Sequence, residues 1–277
     1  MTEKKSMLCP NCRKLISSDE PACPYCGTAR PGALWKRGII GGLSLLGADP
    51  VKAIIVVNAA FYLLSLLLNP ASLGLSANPL TFLSPSGEGV FLLGATGTLP
   101  IDAYGRWWTL VSASFLHGGI LHIFFNMMAL RQLAPFILAE FGFHRFAILY
   151  LWTGVAGFFI SYLAGVPFTI GASASLCGLI GAILYYGKSR GGFYGEAIYR
   201  QALGWVVGLV IFGLFFPGIN NWAHGGGLVS GIAIAFLTGY RERAAETFVH
   251  RFLGTASVGL TAAVLAWALI QAIYHLL

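Results

Sequence analysis

Two short polar elements interrupt long apolar stretches of this 277-residue chain: Ser173, within Gly171-Ala172-Ser173-Ala174, and His224, within Asn221-Trp222-Ala223-His224-Gly225. A serine hydroxyl is a weak nucleophile until a neighbouring base takes its proton, and neutral imidazole does this near pH 7. The pair therefore points to hydrolytic chemistry, provided that the two segments meet. His122 and Asn126 lie four residues apart and so share one face of a helix. Both can donate to an oxyanion, and a donor fixed where charge develops is worth about 2.7–4 kcal/mol in a water-poor site.

Positioning these groups falls to helices in a membrane. Hydrophobic residues make up 57% of the chain and charged ones only 10%. With 36 glycines and a mean hydropathy of +0.75, this is too little polar surface for a soluble domain. Runs near the ~18–20 apolar residues needed to cross a hydrocarbon core predict seven helices, at about 51–68, 116–138, 146–164, 171–186, 202–216, 222–238 and 252–276. The run at 171 is short and glycine-rich and by itself also reads as a buried or re-entrant segment; its neighbours favour a full span. With the N-terminus inside, sixteen of the seventeen basic residues lie on or near the inner side, leaving only Arg106 outside. The net charge of +7 then follows from topology, and no nucleic acid is expected, although the basic N-terminal segment can also touch anionic lipid.

Under this topology spans two, four and six all run inward, so the turns carrying His122, Ser173 and His224 share the outer third of the bilayer. Small residues recur every fourth position on span four (Ala174, Gly178, Ala182) and on span six (Ala223, Gly227, Gly231, Ala235), which permits close backbone approach. Taken singly, a Ser, Asn or His in a membrane helix is usually packing or interhelical glue. Four at one depth on three spans favour a site, because ionisable groups in a membrane are costly. Only Glu88 and Asp102 of the ten acidic residues fall on the outer side, so a Ser-His dyad is the economical assignment. Ser175 reads as packing on another helix face, and Cys177 as a small buried hydrophobe.

Residues 1–28 are a different kind of object. Cys9-Pro10-Asn11-Cys12 and Cys23-Pro24-Tyr25-Cys26 form two CxxC knuckles ten residues apart, a spacing that closes a tetrahedral thiolate site on a structural Zn²⁺. Two disulfides are the alternative, disfavoured on the side assigned to the cytosol and without an expected signal peptide. A full set of four thiolates leaves no open coordination position, so the expected task is folding or docking of a cytosolic protein partner. Residues 29–50, rich in Gly and Pro, read as a linker, 51–238 as the membrane domain, and 239–277 as an inner loop with the seventh transmembrane helix.

The stretch Phe115-Leu116-His117-Gly118-Gly119-Ile120-Leu121-His122-Ile123-Phe124-Phe125-Asn126, the Gly171-Ala172-Ser173 motif with Gly178-Leu179-Ile180-Gly181-Ala182, and Ala223-His224 with its following glycines together resemble the rhomboid family of intramembrane serine proteases. The resemblance implies an all-α polytopic membrane protein with a six-helix rhomboid-like bundle, to which one C-terminal transmembrane helix and the small N-terminal zinc ribbon are added. It implies Ser173 as nucleophile, His224 as general base, and His122 and Asn126 in the oxyanion hole. No cofactor is implied for catalysis. The implied substrates are transmembrane proteins in the lipid bilayer, cut in or beside their helices. The expected location is a bacterial plasma (inner) membrane, N-terminus cytoplasmic and C-terminus outside. Three positions depart from the family pattern: Ala174 follows the serine where Gly is usual, Cys177 stands where an aromatic commonly stacks on the base, and Arg106-Trp107-Trp108-Thr109 replaces the usual Trp-Arg anchor of the first loop. A catalytically silent relative that binds transmembrane clients is the alternative. A transporter would need polar residues through the full membrane thickness, and a CxxC oxidoreductase seldom carries two spaced knuckles.

Overall fold

The computed structural model describes residues 6–9, 14–27, 49–69, 82–216 and 218–276, which form two units, Met1–Ile54 and Ile55–Leu277. Cys12 and nearly all of the 29–50 linker lie outside the described residues. In the first unit, β1 (Ser6–Leu8) pairs antiparallel with β2 (Leu15–Ser17), Met7 opposite Ile16. Among the described residues of this hairpin unit, Met7, Cys9, Ile16 and Cys23 cluster in the interior. A two-stranded hairpin with so little apolar surface is marginal in water.

Among the described residues, seven long helices make this an all-α polytopic membrane protein: α1 (Pro50–Leu67), α2 (Ile120–Glu140), α3 (Phe143–Leu163), α4 (Ser173–Arg190), α5 (Gly192–Phe215), α6 (Asn221–Thr238) and α7 (Phe248–Leu276). Five of them, α1, α2, α3, α5 and α7, are long and apolar enough on their own to cross a membrane. The other two are diluted by Ser, Gly, Asn and His, and by Lys188 and Arg190 at the end of α4. Protein rather than lipid surrounds α4, where every residue from 174 to 187 except Tyr185 is buried. Such a helix satisfies its own backbone and needs no apolar exterior.

Glycine sets the closeness of this packing. A Cβ on Gly227 would run into the Ala174 carbonyl, one on Gly231 into the Gly178 carbonyl, and one on Gly181 into the Leu228 carbonyl. The backbones of α4 and α6 therefore touch along about two turns, as helices in lipid do where no hydrophobic effect drives association. Helix α3 joins in the same way, with Gly157 against the Ala223 carbonyl and Thr153 filling the notch at Gly178. Helix α7 packs on the other flank of α3, where Gly254 meets the backbone of His144 and Ser257 Oγ accepts from Trp152 Nε1 at 2.9 Å.

Some ends differ from the apolar runs. Helix α5 starts ten residues before position 202, because Glu196 and Arg200 pair one turn apart at 2.8 Å and a polar stretch can be helical. Helix α2 starts at Ile120 and not 116, because Leu116 is extended after a tight turn at Ala113–Phe115. The loop before it holds a short helix, Gly87–Leu92, whose terminal carbonyls at Phe91 and Leu92 accept from Arg106 at 2.8 and 3.2 Å. The guanidinium also stacks on Phe91 and Trp108. The altered 106–109 sequence thus supplies its own anchor.

Opposite that loop, residues between α6 and α7 cap α3. Glu246 Oε1 accepts from the His144 and Arg145 backbone N–H groups at 2.9 and 3.2 Å, and Oε2 lies 3.0 Å from His144 Nδ1. The fully buried Arg145 donates to the Phe141, Ala244 and Ala245 carbonyls. Burial alone would raise the Glu246 carboxyl pKa, but these hydrogen bonds and the His144 charge outweigh it and hold the group below its usual range.

Two outcomes follow from this packing. Gly231→Ala should destabilise the membrane unit by about 2 kcal/mol or more, read by equilibrium unfolding in detergent, because the added methyl meets backbone that cannot give way. A depressed carboxylate stabilises above its unfolded pKa, about 4.3, and loses that contribution as pH falls through the lower folded value. The stability gap between wild type and Glu246→Gln should therefore be full at neutral pH and close on acidification, measured by the same unfolding assay.

Candidate active site

The segment entering α4 is fixed before the helix begins. Thr169 pairs with Thr96 in both directions, at 3.1 and 2.7 Å, and the Gly171 N–H donates to the Ala113 carbonyl at 2.9 Å. Gly171 has φ +131°, which a side chain would strain, and a Cβ there would lie 2.8 Å from His122 Nε2 and 3.6 Å from Ser173 Oγ. Ser173 is the first residue of α4, so its N–H has no acceptor within the helix and sits at the positive end of the dipole.

His224 lies in the first turn of α6, and its Nε2 is 2.8 Å from Ser173 Oγ. Its Nδ1 is buried with no partner among the described residues. With the ring proton on Nδ1, Nε2 is an acceptor facing the hydroxyl. His122 takes the opposite tautomer: its Nδ1 accepts from the Gly118 N–H at 3.2 Å, which leaves the proton on Nε2, beside Gly171. His122 and Ser173 thus meet at Gly171, and His224 joins them through the Ser173 hydroxyl. Asn126 is buried, and its Nδ2 donates back to the His122 carbonyl at 2.8 Å, leaving one amide hydrogen uncommitted.

Neighbouring residues separate into walls and fillers. His117 is fully buried and meets His122 edge to face, ring centroids 5.0 Å apart. Ser175 is fully buried against Gly154. Cys177 lines, with His224 and with Val206, Leu209, Val210 and Leu214 of α5, a cavity of about 250 Å³. Asn220, passed over in the sequence, caps α6: its Oδ1 accepts from the Ala223 N–H at 3.1 Å. Part of the signal was available, since Asn220 and Asn221 stand just ahead of an apolar helical run and Asn is a start signature there. Asn221 Nδ2 donates to the Gly213 carbonyl of α5 at 2.9 Å.

In the first unit the Cys9, Cys23 and Cys26 sulfurs all lie within 4.8 Å of one another, close enough to bind one metal ion. Cys9 and Cys26 are 3.7 Å apart at sulfur. A disulfide would hold them at about 2.05 Å, whereas two thiolates at about 2.3 Å from one tetrahedral Zn²⁺ are about 3.8 Å apart. The donor set fits the metal.

Comparison with known proteins bears on both the bundle and its chemistry. The family model described as a rhomboid domain matches residues 104–241. Similar proteins include RHOMBOID-like protein 5 of Arabidopsis thaliana, 34% identical over 139 residues, which cover 48% of this chain and 44% of that protein. The rhomboid protease GluP of Bacillus subtilis (strain 168) is 31% identical over 137 residues, covering 50% of this chain and 27% of its own length. The putative rhomboid protease YdcA of the same organism is 30% identical over 138 residues, 49% of this chain and 69% of the relative. This chain spans less than half the length of several of the curated relatives it matches.

Proposed function

The chain belongs to the rhomboid family, and from that premise we propose that it is an intramembrane serine protease. In this reading it hydrolyses peptide bonds in or next to transmembrane helices of membrane-protein substrates. The observation that carries it is the 2.8 Å separation between Ser173 Oγ and His224 Nε2.

Ser173 Oγ attacks the scissile carbonyl carbon while His224 Nε2 takes its proton. The carbonyl π pair moves to oxygen, and the oxyanion is met by His122 Nε2–H, by the Ser173 N–H at the helix start, and by the free amide hydrogen of Asn126. Collapse breaks the C–N bond, and His224 returns the proton to the departing amine. Water then attacks the acyl-enzyme by the same base and restores Ser173. A dyad suffices because His224 is oriented by its helix instead of by a carboxylate.

The basic residues support an N-terminus on the cytoplasmic side and a C-terminus outside, with the site near the outer face. We assign Cys9, Cys12, Cys23 and Cys26 to one Zn²⁺, which would supply the stability that the small hairpin lacks. The folded ribbon would then present a surface to a cytosolic protein.

Purified protein should cleave a single-span substrate in liposomes and react with a fluorophosphonate probe, and Ser173→Ala and His224→Ala should each abolish both. His122→Ala and Asn126→Ala should each lower kcat by about a hundredfold. An unlabelled wild-type protein that still binds transmembrane clients would instead favour a silent relative. Elemental analysis should find one Zn²⁺ per chain, lost in Cys9→Ser, with the rate of fluorophosphonate labelling unchanged.

A further inference from the structure

Asn220 uses three of its four side-chain hydrogen-bonding positions. Its Oδ1 caps α6 through the Ala223 N–H, while Nδ2 donates to Ser161 Oγ of α3 at 2.6 Å and to Thr169 Oγ1 at 2.9 Å. Both hydroxyls are buried. The Asn220 backbone carbonyl also accepts the His224 N–H, at 3.1 Å.

The placement of these bonds gives them a consequence at the dyad. Thr169 lies four residues before Ser173, and Asn220 lies four residues before His224. One side chain therefore clamps the bases of two equal arms, one ending in the hydroxyl and the other in the imidazole. The Thr169 arm is held in turn by its pairing with Thr96 and by Gly171 on Ala113. On the α6 arm, His224 sits between this clamp and the contact of Gly227 with the Ala174 carbonyl about one turn later. Rotation of the first turn of α6 about its axis would swing Nε2 away from Oγ, and Asn220 opposes that rotation from two directions.

We propose that Asn220 is a positioning residue for the reaction: it sets the distance and angle between Ser173 and His224 without touching substrate. This rests on the serine-protease reading above. Residue chemistry makes the proposal specific. An amide caps the helix and reaches two hydroxyls at once; a carboxylate can do the same because Ser161 and Thr169 can each turn to donate to it; alanine can do neither.

Fluorophosphonate labelling and cleavage of a single-span peptide in liposomes would be measured for wild type, Asn220→Ala, Asn220→Asp and the double variant Ser161→Ala/Thr169→Val. Asn220→Ala should lower kcat and the labelling rate by about ten- to a hundredfold with KM little changed, as misplacement of a catalytic pair does. Asn220→Asp should restore both. The double variant keeps the helix cap and should still label slowly, so it carries the test if Asn220→Ala does not fold. The ¹⁵N signal of His224 Nε2, which Ser173→Ala would shift by removing its partner, should move the same way in Asn220→Ala. Wild-type labelling rates with an unshifted His224 signal in Asn220→Ala or in the double variant would overturn the proposal. If wild type neither labels nor cleaves, the protease reading fails, and the His224 signal still decides whether Asn220 holds the pair.

Discussion

A hydroxyl and an imidazole from two different helices lie 2.8 Å apart inside this bundle because the backbones carrying them are in contact. Side chains as short as serine cannot bridge the usual 8–10 Å between helix axes when larger residues line the interface. Here Gly227 and Gly231 of α6 rest on carbonyls of α4, and Gly157 of α3 rests on a carbonyl of α6. In water a stripe of glycine would forfeit burial; in lipid it admits dispersion contact between backbones, which is what remains to hold helices together. The same choice that makes the bundle cohesive brings Ser173 and His224 within reach of each other.

Polar groups outside the Ser173–His224 pair are handled by capping across elements. Arg106 closes the carbonyl end of a short helix, Asn220 the amide end of α6, and Glu246 the amide end of α3. Each satisfies groups that a helix leaves open at its terminus. An unsatisfied one in a membrane costs several kcal/mol, so these residues fix where helices stop as firmly as the apolar runs fix where they cross. The irregular first loop is possible in this setting because its backbone is tied down by Arg106 and by Thr96 against Thr169.

Much of the architecture was legible from local pattern, and the remainder was not local. Apolar runs locate seven helices because crossing a membrane demands length and greasiness, both of which are visible in a window of twenty residues. Where polar residues extend a helix, as Glu196 and Arg200 extend α5, hydropathy misses the end. Ser173 and His224 stood out as polar interruptions, yet the distance between them follows from packing and not from their spacing of fifty-one positions. The capping of α3 by Glu246 joins residues about a hundred positions apart, and no periodicity announces it. Asn126 shows the opposite limit: its face is readable from the i,i+4 spacing, but its turn back onto the His122 carbonyl is a rotamer choice. Asn220 was readable as a cap, whereas its two further bonds depend on where α3 and the 169 segment come to lie.

The small residue at position 177 changes what must orient the imidazole. With an aromatic one turn beyond the serine, a ring could be held from its face; with Cys177 that space is a cavity shared with α5. His224 Nδ1 has no partner among the described residues either, so neither stacking nor a carboxylate fixes the ring. What remains is the backbone that carries it. A side chain with two rotatable bonds keeps its aim only as well as its Cα and the walls around it allow. The burden of orientation thus passes from the ring to the first turn of α6, and from there to the contacts that stop this turn from rotating.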